Sequence, residues 1–495
     1  MGFTTVDYVI VVAYLIGMAV LGVVSGGKQT SARDYFLGSK EIPWWAVCFA
    51  IVATETSTLT FISIPGLAYT TNLNFLQVTL GYLLGRIVIS YVLLPAYAKG
   101  ELVTAYQLLA QRFGPTMRNL TSVTFMFTRV LADGVRLFAT AIPLAILLKG
   151  WQSFTDVPNE QVYIVSITVM AAITLVYTFI GGVRAVIWTD VVQMFIYLAG
   201  AVGAIFIISH ELPAGGFNIP AEKLSFLNVG FGLSWDEFFK SPYTLVASLI
   251  GGAFLSMASH GTDQIIVQRL LTVKTLEGSR RALIGSGVVV IIQFAIFLAI
   301  GLLLYAFYNA SSLSQLGLLK ADEIFPKFII EKMPSGLSGI IIAGLLAAAM
   351  STLSGSVNSL ASATMNDIYK PYFGRQNSDA RDLFLSRLFS LVWCVVLVGV
   401  AIFFISNTSN ALVELALSIA SVTYGGLLGS FLLGVLFKRV KQMDAMIGFI
   451  AGIATMAFVF SQTKIAWTWF TFIGCVVTLV AGNISSLINT NRRGC

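Results

Sequence analysis

Apolar runs recur along this chain at a length of about 20 residues, the number a helix needs to cross the hydrocarbon core of a bilayer. Thirteen such runs predict helices near residues 7–25, 43–69, 73–98, 119–148, 162–180, 186–208, 242–268, 282–308, 334–366, 382–405, 411–437, 443–461 and 465–488. Two of them contain a hydroxyl-rich polar stretch. Thr54-Glu55-Thr56-Ser57-Thr58-Leu59-Thr60 lies inside the second, and Ser351-Thr352-Leu353-Ser354-Gly355-Ser356 inside the ninth. Polar groups at membrane depth are costly, so they tend to face a bundle interior, a cavity or an ion path. Hydroxyl-rich runs on two separate helices offer the hard oxygen donors that a small alkali cation binds. The pattern predicts an all-α membrane protein that moves a cation and a solute.

Composition agrees with the pattern. The chain is 57% hydrophobic and 11% charged, against about 25% charged for a soluble domain. The formal net charge is +7, but no basic cluster is interleaved with aromatics, so no nucleic-acid partner is expected. Four cysteines and two histidines stand apart from one another, with no spacing for a transition metal. No basic region precedes the first apolar run, which reads as a retained helix and not a signal peptide. With the N-terminus outside, the inner loops hold nineteen of the 30 Lys and Arg residues and the outer loops seven. That bias predicts N-outside, C-inside. The long outer loops 209–241 and 309–333 have room for short surface helices. Short loops and the lack of tails suggest a bacterial inner membrane. The chain reads as one domain, residues 1–495, with no obligate protein partner evident.

Five clusters carry candidate chemistry. Glu55 is an acid near mid-membrane, flanked by hydroxyls, and Pro65 follows where freed backbone can line a cavity; the bland alternative is hydroxyls bonding back to their own helix. Ser351, Ser354, Gly355 and Asn358 share one helix face, suited to cation binding or to small-residue packing. Arg129, Asp133 and Arg136 fall at i, i+4 and i+7 in the fourth run. One carboxylate against two guanidiniums leaves a positive excess, suited to a substrate carboxylate; a structural ion-pair network is the alternative. Asp190 is either a functional acid or an interfacial carboxylate near Arg184. Ser259-His260-Gly261-Thr262-Asp263-Gln264 breaks the seventh run, where His260 alone reads as a packed polar residue.

Several stretches resemble the sodium:solute symporters, the group holding proline permease and the sodium-coupled glucose, sialic acid, iodide and multivitamin transporters. They are "DYFLGSKEIPWWAV", "YTFIGGVRAVIWTDVVQ", "DQIIVQR" and "AAAMSTLSGSVNSLASATMNDIY", and the similarity extends from about residue 5 to 460. The resemblance implies thirteen transmembrane helices in a leucine-transporter-type fold with two five-helix inverted repeats, about 43–208 and 242–437. It implies a main sodium (Na+) site from Ala53, Thr56, Ala348, Ser351 and Thr352. It places Glu55 where proline permease has a functional aspartate. Asp190 and Ser354 match a second sodium site of some members, but Gly355 stands where those members carry a serine, which favours one sodium.

Substrate positions depart further. Ser57, Thr60 and Phe75 align with sialic acid contacts, while Thr79 replaces a glutamine. Ala132 stands where such members have an arginine, with Arg129, Asp133 and Arg136 nearby. Ser259 aligns with the inner aromatic gate of a galactose transporter, and the eighth run has no lysine for a sugar. The expected function is sodium-coupled import of a small polar solute by alternating access. A carboxylate-bearing substrate is favoured: a sialic acid, a monocarboxylate or an amino acid. A neutral sugar or polyol is the alternative. A sodium-dependent sensor on this fold is disfavoured, because no soluble signalling domain follows the last run. An enzyme is disfavoured because no nucleophile–base constellation is visible.

Overall fold

A computed structural model describes residues 4–100, 102–149, 156–212, 219–374, 376–405 and 412–491. Among these, all regular structure is helical. The principal helices are α1 (Thr5–Gly26), α2 (Trp44–Glu55), α3 (Thr58–Thr70), α4 (Leu76–Val92), α5 (Pro115–Lys149), α6 (Asn159–His210) and α7 (Leu245–Gly261). They continue as α8 (Gln264–Leu271), α9 (Leu276–Phe307), α10 (Leu337–Ala363), α11 (Asp379–Ile405), α12 (Leu412–Leu436), α13 (Gln442–Gln462) and α14 (Phe470–Asn491).

Eight of the described helical stretches are long and apolar enough to cross a membrane, against thirteen expected runs. The differences have local causes. The second run is split into α2 and α3, of 12 and 13 residues. The third is α4, only 17 residues long. α5 is 35 residues long but carries Arg129, Asp133 and Arg136 in its middle. The fifth and sixth runs form one helix of 52 residues, α6, bent at Gly182. Gly182 has a φ of 58°, a left-handed conformation that glycine adopts without steric penalty. The eleventh run begins at 411, outside the described residues, and continues as α12.

The first break is made by two extended residues, Thr56 (φ −82°, ψ 105°) and Ser57 (φ −93°, ψ 167°). The Ser57 hydroxyl then caps α3 by accepting from the Thr60 amide. The second break lies at Thr262 and Asp263, and the Asp263 carboxylate caps α8 by accepting from the Ile265 amide at 3.0 Å. Small residues bring the surrounding helices together. A Cβ on Gly81 of α4 would lie 2.4 Å from the Ser248 carbonyl oxygen, and one on Gly252 of α7 would lie 2.5 Å from that of Val78. This crossing sets α4 against the second broken helix. α6 packs along α1 and α10.

The two long connections carry short helices, Trp235–Lys240 and Ile324–Lys332, and both cover α3. Phe61 of α3 lies 5.3 Å from Phe297 and 5.5 Å from Phe325, ring centre to ring centre. The Tyr69 hydroxyl donates to the Ser311 carbonyl at 2.6 Å, and Lys223 donates to the Tyr69 carbonyl at 2.5 Å.

Candidate functional site

An unwound turn frees carbonyls that a continuous helix would satisfy. At the first break, among the described residues, no donor reaches the carbonyls of Ala53 or Thr56. Both residues are buried. The Thr56 hydroxyl is already engaged, donating to the Val52 carbonyl at 2.8 Å and accepting from Gln293 Nε2 at 2.6 Å. Its carbonyl is therefore the free ligand.

Facing this break is the hydroxyl run of α10. The Thr58 hydroxyl donates to the Leu345 carbonyl at 3.0 Å, which ties the start of α3 to α10. Ser351 donates to Asp190 Oδ1 at 2.7 Å, and Thr352 donates to the Ala348 carbonyl at 3.0 Å. Both hydroxyl hydrogens thus point away, and the oxygens keep lone pairs for a cation. Ala53, Thr56, Ala348, Ser351 and Thr352 are all buried. Neutral oxygens with unspent lone pairs, two of them orphaned carbonyls, fit sodium.

Asp190 lies behind this cluster. It is fully buried and does not snorkel towards Arg184. It accepts from Ser351, from Thr54 at 3.4 Å and from Arg269 Nη2 of α8 at 2.9 Å. The Arg269 guanidinium rests on Gly355, where a Cβ would stand 2.9 Å from Nη2 and 3.3 Å from Nη1. A side chain at 355 would have to push the guanidinium aside. Ser354, the other residue of the second cation set, donates to the Ser351 carbonyl at 3.0 Å. Asn358, one turn on, accepts from Gln268 of α8 at 2.6 Å. The shared face of Ser351, Gly355 and Asn358 is thus turned to Asp190 and α8.

A cavity of about 140 Å³ opens beside both breaks. Of the expected substrate residues, Ser57, Thr60, Phe75, Arg129, Arg136 and Ser259 line it. Phe75 stacks on Phe294 at 5.2 Å. Asp133 instead lines a neighbouring void of about 10 Å³ with Ser57, Thr58, Arg136 and Thr352, room for about one water. Thr79 lines neither; it is buried and donates to the Leu76 carbonyl of its own helix at 2.8 Å.

The positive excess expected on α5 is cancelled from another helix. Arg129 pairs with Asp263 at the second break, through both Nε at 3.0 Å and Nη2. Its Nη2 also donates to the Tyr424 hydroxyl, which in turn donates to Asp263 at 2.7 Å. Asp133 accepts from Arg129 at 3.4 Å, from Arg136 at 3.3 Å and from Ser356. Arg129 is therefore spent on protein partners. Arg136 has one long contact to Asp133, and its side chain is 21% exposed to the cavity.

Two groups of the lining, His260 and Tyr424, and one buried behind it, Arg86, were not foreseen. Arg86 of α4, fully buried, pairs with Glu55 and donates to Ser286 at 2.8 Å. His260 sits 3.5 Å from the same Glu55 oxygen. Tyr424 of α12 closes the Arg129–Asp263 pair. An arginine inside the third run was a visible signal that a buried acid must meet it, but its partner lay on another helix.

With this geometry in view, likeness to known proteins is informative. The profile of the Sodium:solute symporter family matches residues 35–452. The chain is similar to the Sodium/sialic acid symporter NanT of Aliivibrio fischeri, with 28% identity over 99% of this chain and 94% of that protein. It is similar to the Sodium/sialic acid symporter SiaT of Proteus mirabilis, with 28% identity over 98% and 95%. It is also similar to the Sodium-coupled monocarboxylate transporter 1 of Xenopus laevis, with 28% identity over 91% and 71%. Among solved structures it resembles the substrate-bound outward-open state of a Na+-coupled sialic acid symporter, with a TM-score of 0.86, 27% identity and 98% coverage of each chain. A closed conformation of Mhp1, a nucleobase-cation-symport-1 family transporter, matches with a TM-score of 0.54 and 10% identity over 94% of this chain and 96% of that one, a likeness of fold alone.

Proposed function

The chain belongs to the sodium:solute symporter family, and we propose that it imports a small carboxylate-bearing solute together with one sodium ion by alternating access. The observation that supports the reading is the first break, where two buried carbonyls lack a donor among the described residues and Thr58, just beyond, is tied to α10, the helix that carries Ser351 and Thr352. A sodium bound there bridges the broken helix and α10, and stabilises whichever conformation keeps them together. It shifts the conformational equilibrium only by its differential affinity for the two states. Each charge that crosses the membrane with the potential contributes about 2.3 kcal/mol per 100 mV.

Arg136 supports the carboxylate. It reaches the cavity with donors to spare, whereas Arg129 is held by Asp263 and Tyr424. Ser57, Thr60, Phe75 and Ser259 complete the lining. The relatives named above transport sialic acid or monocarboxylates, and both classes carry that group. One sodium per cycle follows from Arg269, whose guanidinium already neutralises Asp190 and covers Gly355. A neutral sugar or polyol is the second reading. It draws on the cavity's charge balance, in which Arg86, Arg129 and Arg136 each face a carboxylate.

This is an integral membrane protein with no chemical step in its cycle. Thirteen spans, two inverted repeats near 43–208 and 242–437, and the N-outside, C-inside orientation in a bacterial inner membrane complete the proposal. The test is a thermal-shift screen of purified protein against organic acids, amino acids and sugars, with and without sodium. A ligand of the folded state raises its apparent stability by mass action. Stabilisation by carboxylates only when sodium is present is expected. Stabilisation by neutral sugars alone would replace the first reading by the second.

A further inference from the structure

Apolar residues run through the long connection that precedes α7. Leu224, Phe226, Leu227, Phe231, Leu233 and Trp235 lie between Lys223 and Asp236, with no charged residue among them. All six are exposed, Phe231 at 91% and Trp235 at 81%. The backbone presents them. Gly230 and Gly232 flank Phe231 with φ of 79° and 85°, the left-handed region that glycine enters without penalty. The chain therefore turns sharply with the Phe231 ring at its tip, and a Cβ on Gly232 would meet nothing within 4 Å. Ser234 then caps the short helix Trp235–Lys240 by accepting from the Glu237 amide, which fixes Trp235 in its first turn.

The segment is pinned at several points. The Ser225 carbonyl accepts from the Leu73 amide at 3.1 Å, and the Asn228 carbonyl from the Leu245 amide at 2.6 Å. The Asn228 amide donates to Gln77 Oε1 of α4 at 3.2 Å. The Phe239 carbonyl accepts from the Ala466 amide at 2.9 Å, and the Phe238 and Phe239 rings lie 5.9 and 5.3 Å from that of Trp469. These contacts hold the segment where α7 and α14 begin. Both belong to stretches apolar enough to cross a membrane, Trp235–Gly261 and Trp467–Asn489, so the segment lies at the level where the chain enters the bilayer. Val246, in the first turn of α7, is exposed as well, so the apolar surface continues onto a spanning helix. Large rings left in water forgo the gain of burial, and aromatic residues gather where helices meet the bilayer surface. The charges stand at one end, with Asp236 and Lys240 paired at 2.5 Å. We infer that residues 224–240 form an interfacial anchor, with Phe231 and Trp235 inserted into the adjacent lipid leaflet, the outer one on the orientation proposed above. Lipid is the occupant that the level favours, because a protein partner there would have to displace headgroups. Lys223, at the head of the segment, holds the Tyr69 carbonyl near the end of α3. The anchor thereby ties the first broken helix to the membrane surface. The inference is independent of which solute is carried.

Fluorescence in lipid vesicles tests the anchor. Phe231→Cys and Trp235→Cys are each made in the full chain carrying Cys495→Ser, where Cys48, Cys394 and Cys475 are buried. Each is labelled with the environment-sensitive fluorophore NBD and reconstituted in phosphatidylcholine vesicles, with and without bromine on the upper acyl chain. Ser314→Cys, an exposed polar position in the other long connection, is the aqueous reference. Labels at 231 and 235 are expected to emit at shorter wavelength than the reference and to be quenched by bromine. Emission that matches the reference overturns the anchor. So does short-wavelength emission that bromine leaves unquenched, which would mean that another protein surface, a second copy included, covers the segment. Trp235→Phe, which keeps an apolar ring and needs no label, gives an independent readout. The part of the tryptophan emission that bromine quenches should be smaller than in wild type, and an unchanged part overturns the insertion of Trp235.

Discussion

The two helix breaks use the same device and end in opposite states. The break between α2 and α3 leaves the Ala53 and Thr56 carbonyls bare and sets neutral hydroxyls opposite them. The break between α7 and α8 is closed by the protein itself. Asp263 there caps α8 and takes Arg129 and Tyr424, and Arg269, further along α8, neutralises Asp190. Guanidiniums are paired at both breaks, Arg129 with Asp263 and Arg86 with Glu55, but only the first also leaves backbone carbonyls without a donor among the described residues. A buried charge without a partner is far costlier than an unpaired neutral dipole. On the proposed reading, the first break is the one that takes an exchangeable cation. The unwound backbone alone does not make an ion site; the charges around it decide whether the ion is mobile or built in.

The strongest way to break this comparison is to remove the built-in charge. Asp263→Ala leaves Arg129 buried beside Tyr424 with only a long contact to Asp133. Loss of about 3–5 kcal/mol of stability is expected, seen as a large drop in thermal unfolding temperature. Near-wild-type stability would mean that the second break is not held by this pair. At the open break the effect should fall on sodium instead. Ser351→Ala and Thr352→Ala should each raise the sodium concentration for half-maximal transport, on the order of tenfold, the effect of about 1.4 kcal/mol. Transport at saturating sodium should be affected less. Unchanged sodium dependence in both variants, at normal expression, would remove them from the site.

The arginines of α5 sharpen the contrast within one helix. Arg129→Ala should cost folding, because Asp263 is then stranded. Arg136→Ala should fold, keep sodium binding and lose roughly tenfold or more in affinity for a carboxylate substrate, consistent with a charge-assisted hydrogen bond. Equal behaviour of the two variants would contradict the division of roles. The smallest change concerns Gly355. Wild type should move one sodium per substrate, read as the ratio of labelled fluxes in proteoliposomes. Gly355→Ser should crowd the Arg269 guanidinium and cost about 1–3 kcal/mol, measured by thermal unfolding. A wild-type ratio of two would show that Asp190 accepts a second sodium despite its arginine.

Much of the fold was legible because membrane helices announce themselves locally. Length and apolarity placed α1, α10, α11 and α13 within about three residues, and the starts of α9 and α14 within about six. The polar interruptions marked both breaks at Glu55–Thr58 and near Asp263. The hydroxyl face of α10 could be read from spacing alone, since residues three and four apart share a helix face. The continuity of α6 through Gly182 could not, because a bend and a loop leave the same mark in a hydropathy pattern.

What the chain determined by itself is which chemical groups stand at membrane depth: the hydroxyls of Ser351 and Thr352, the acid of Glu55, the three charges of α5. What only the tertiary structure decided is how the charges cancel. Arg129 meets Asp263 from 134 residues away, Arg269 meets Asp190 from 79, and Arg86 meets Glu55 from 31. Read along the sequence, α5 carried a positive excess; folded, that excess is gone. The physical reason is that hydrophobic periodicity is a property of one helix, whereas electrostatic neutrality in a low-dielectric interior is a property of the whole bundle.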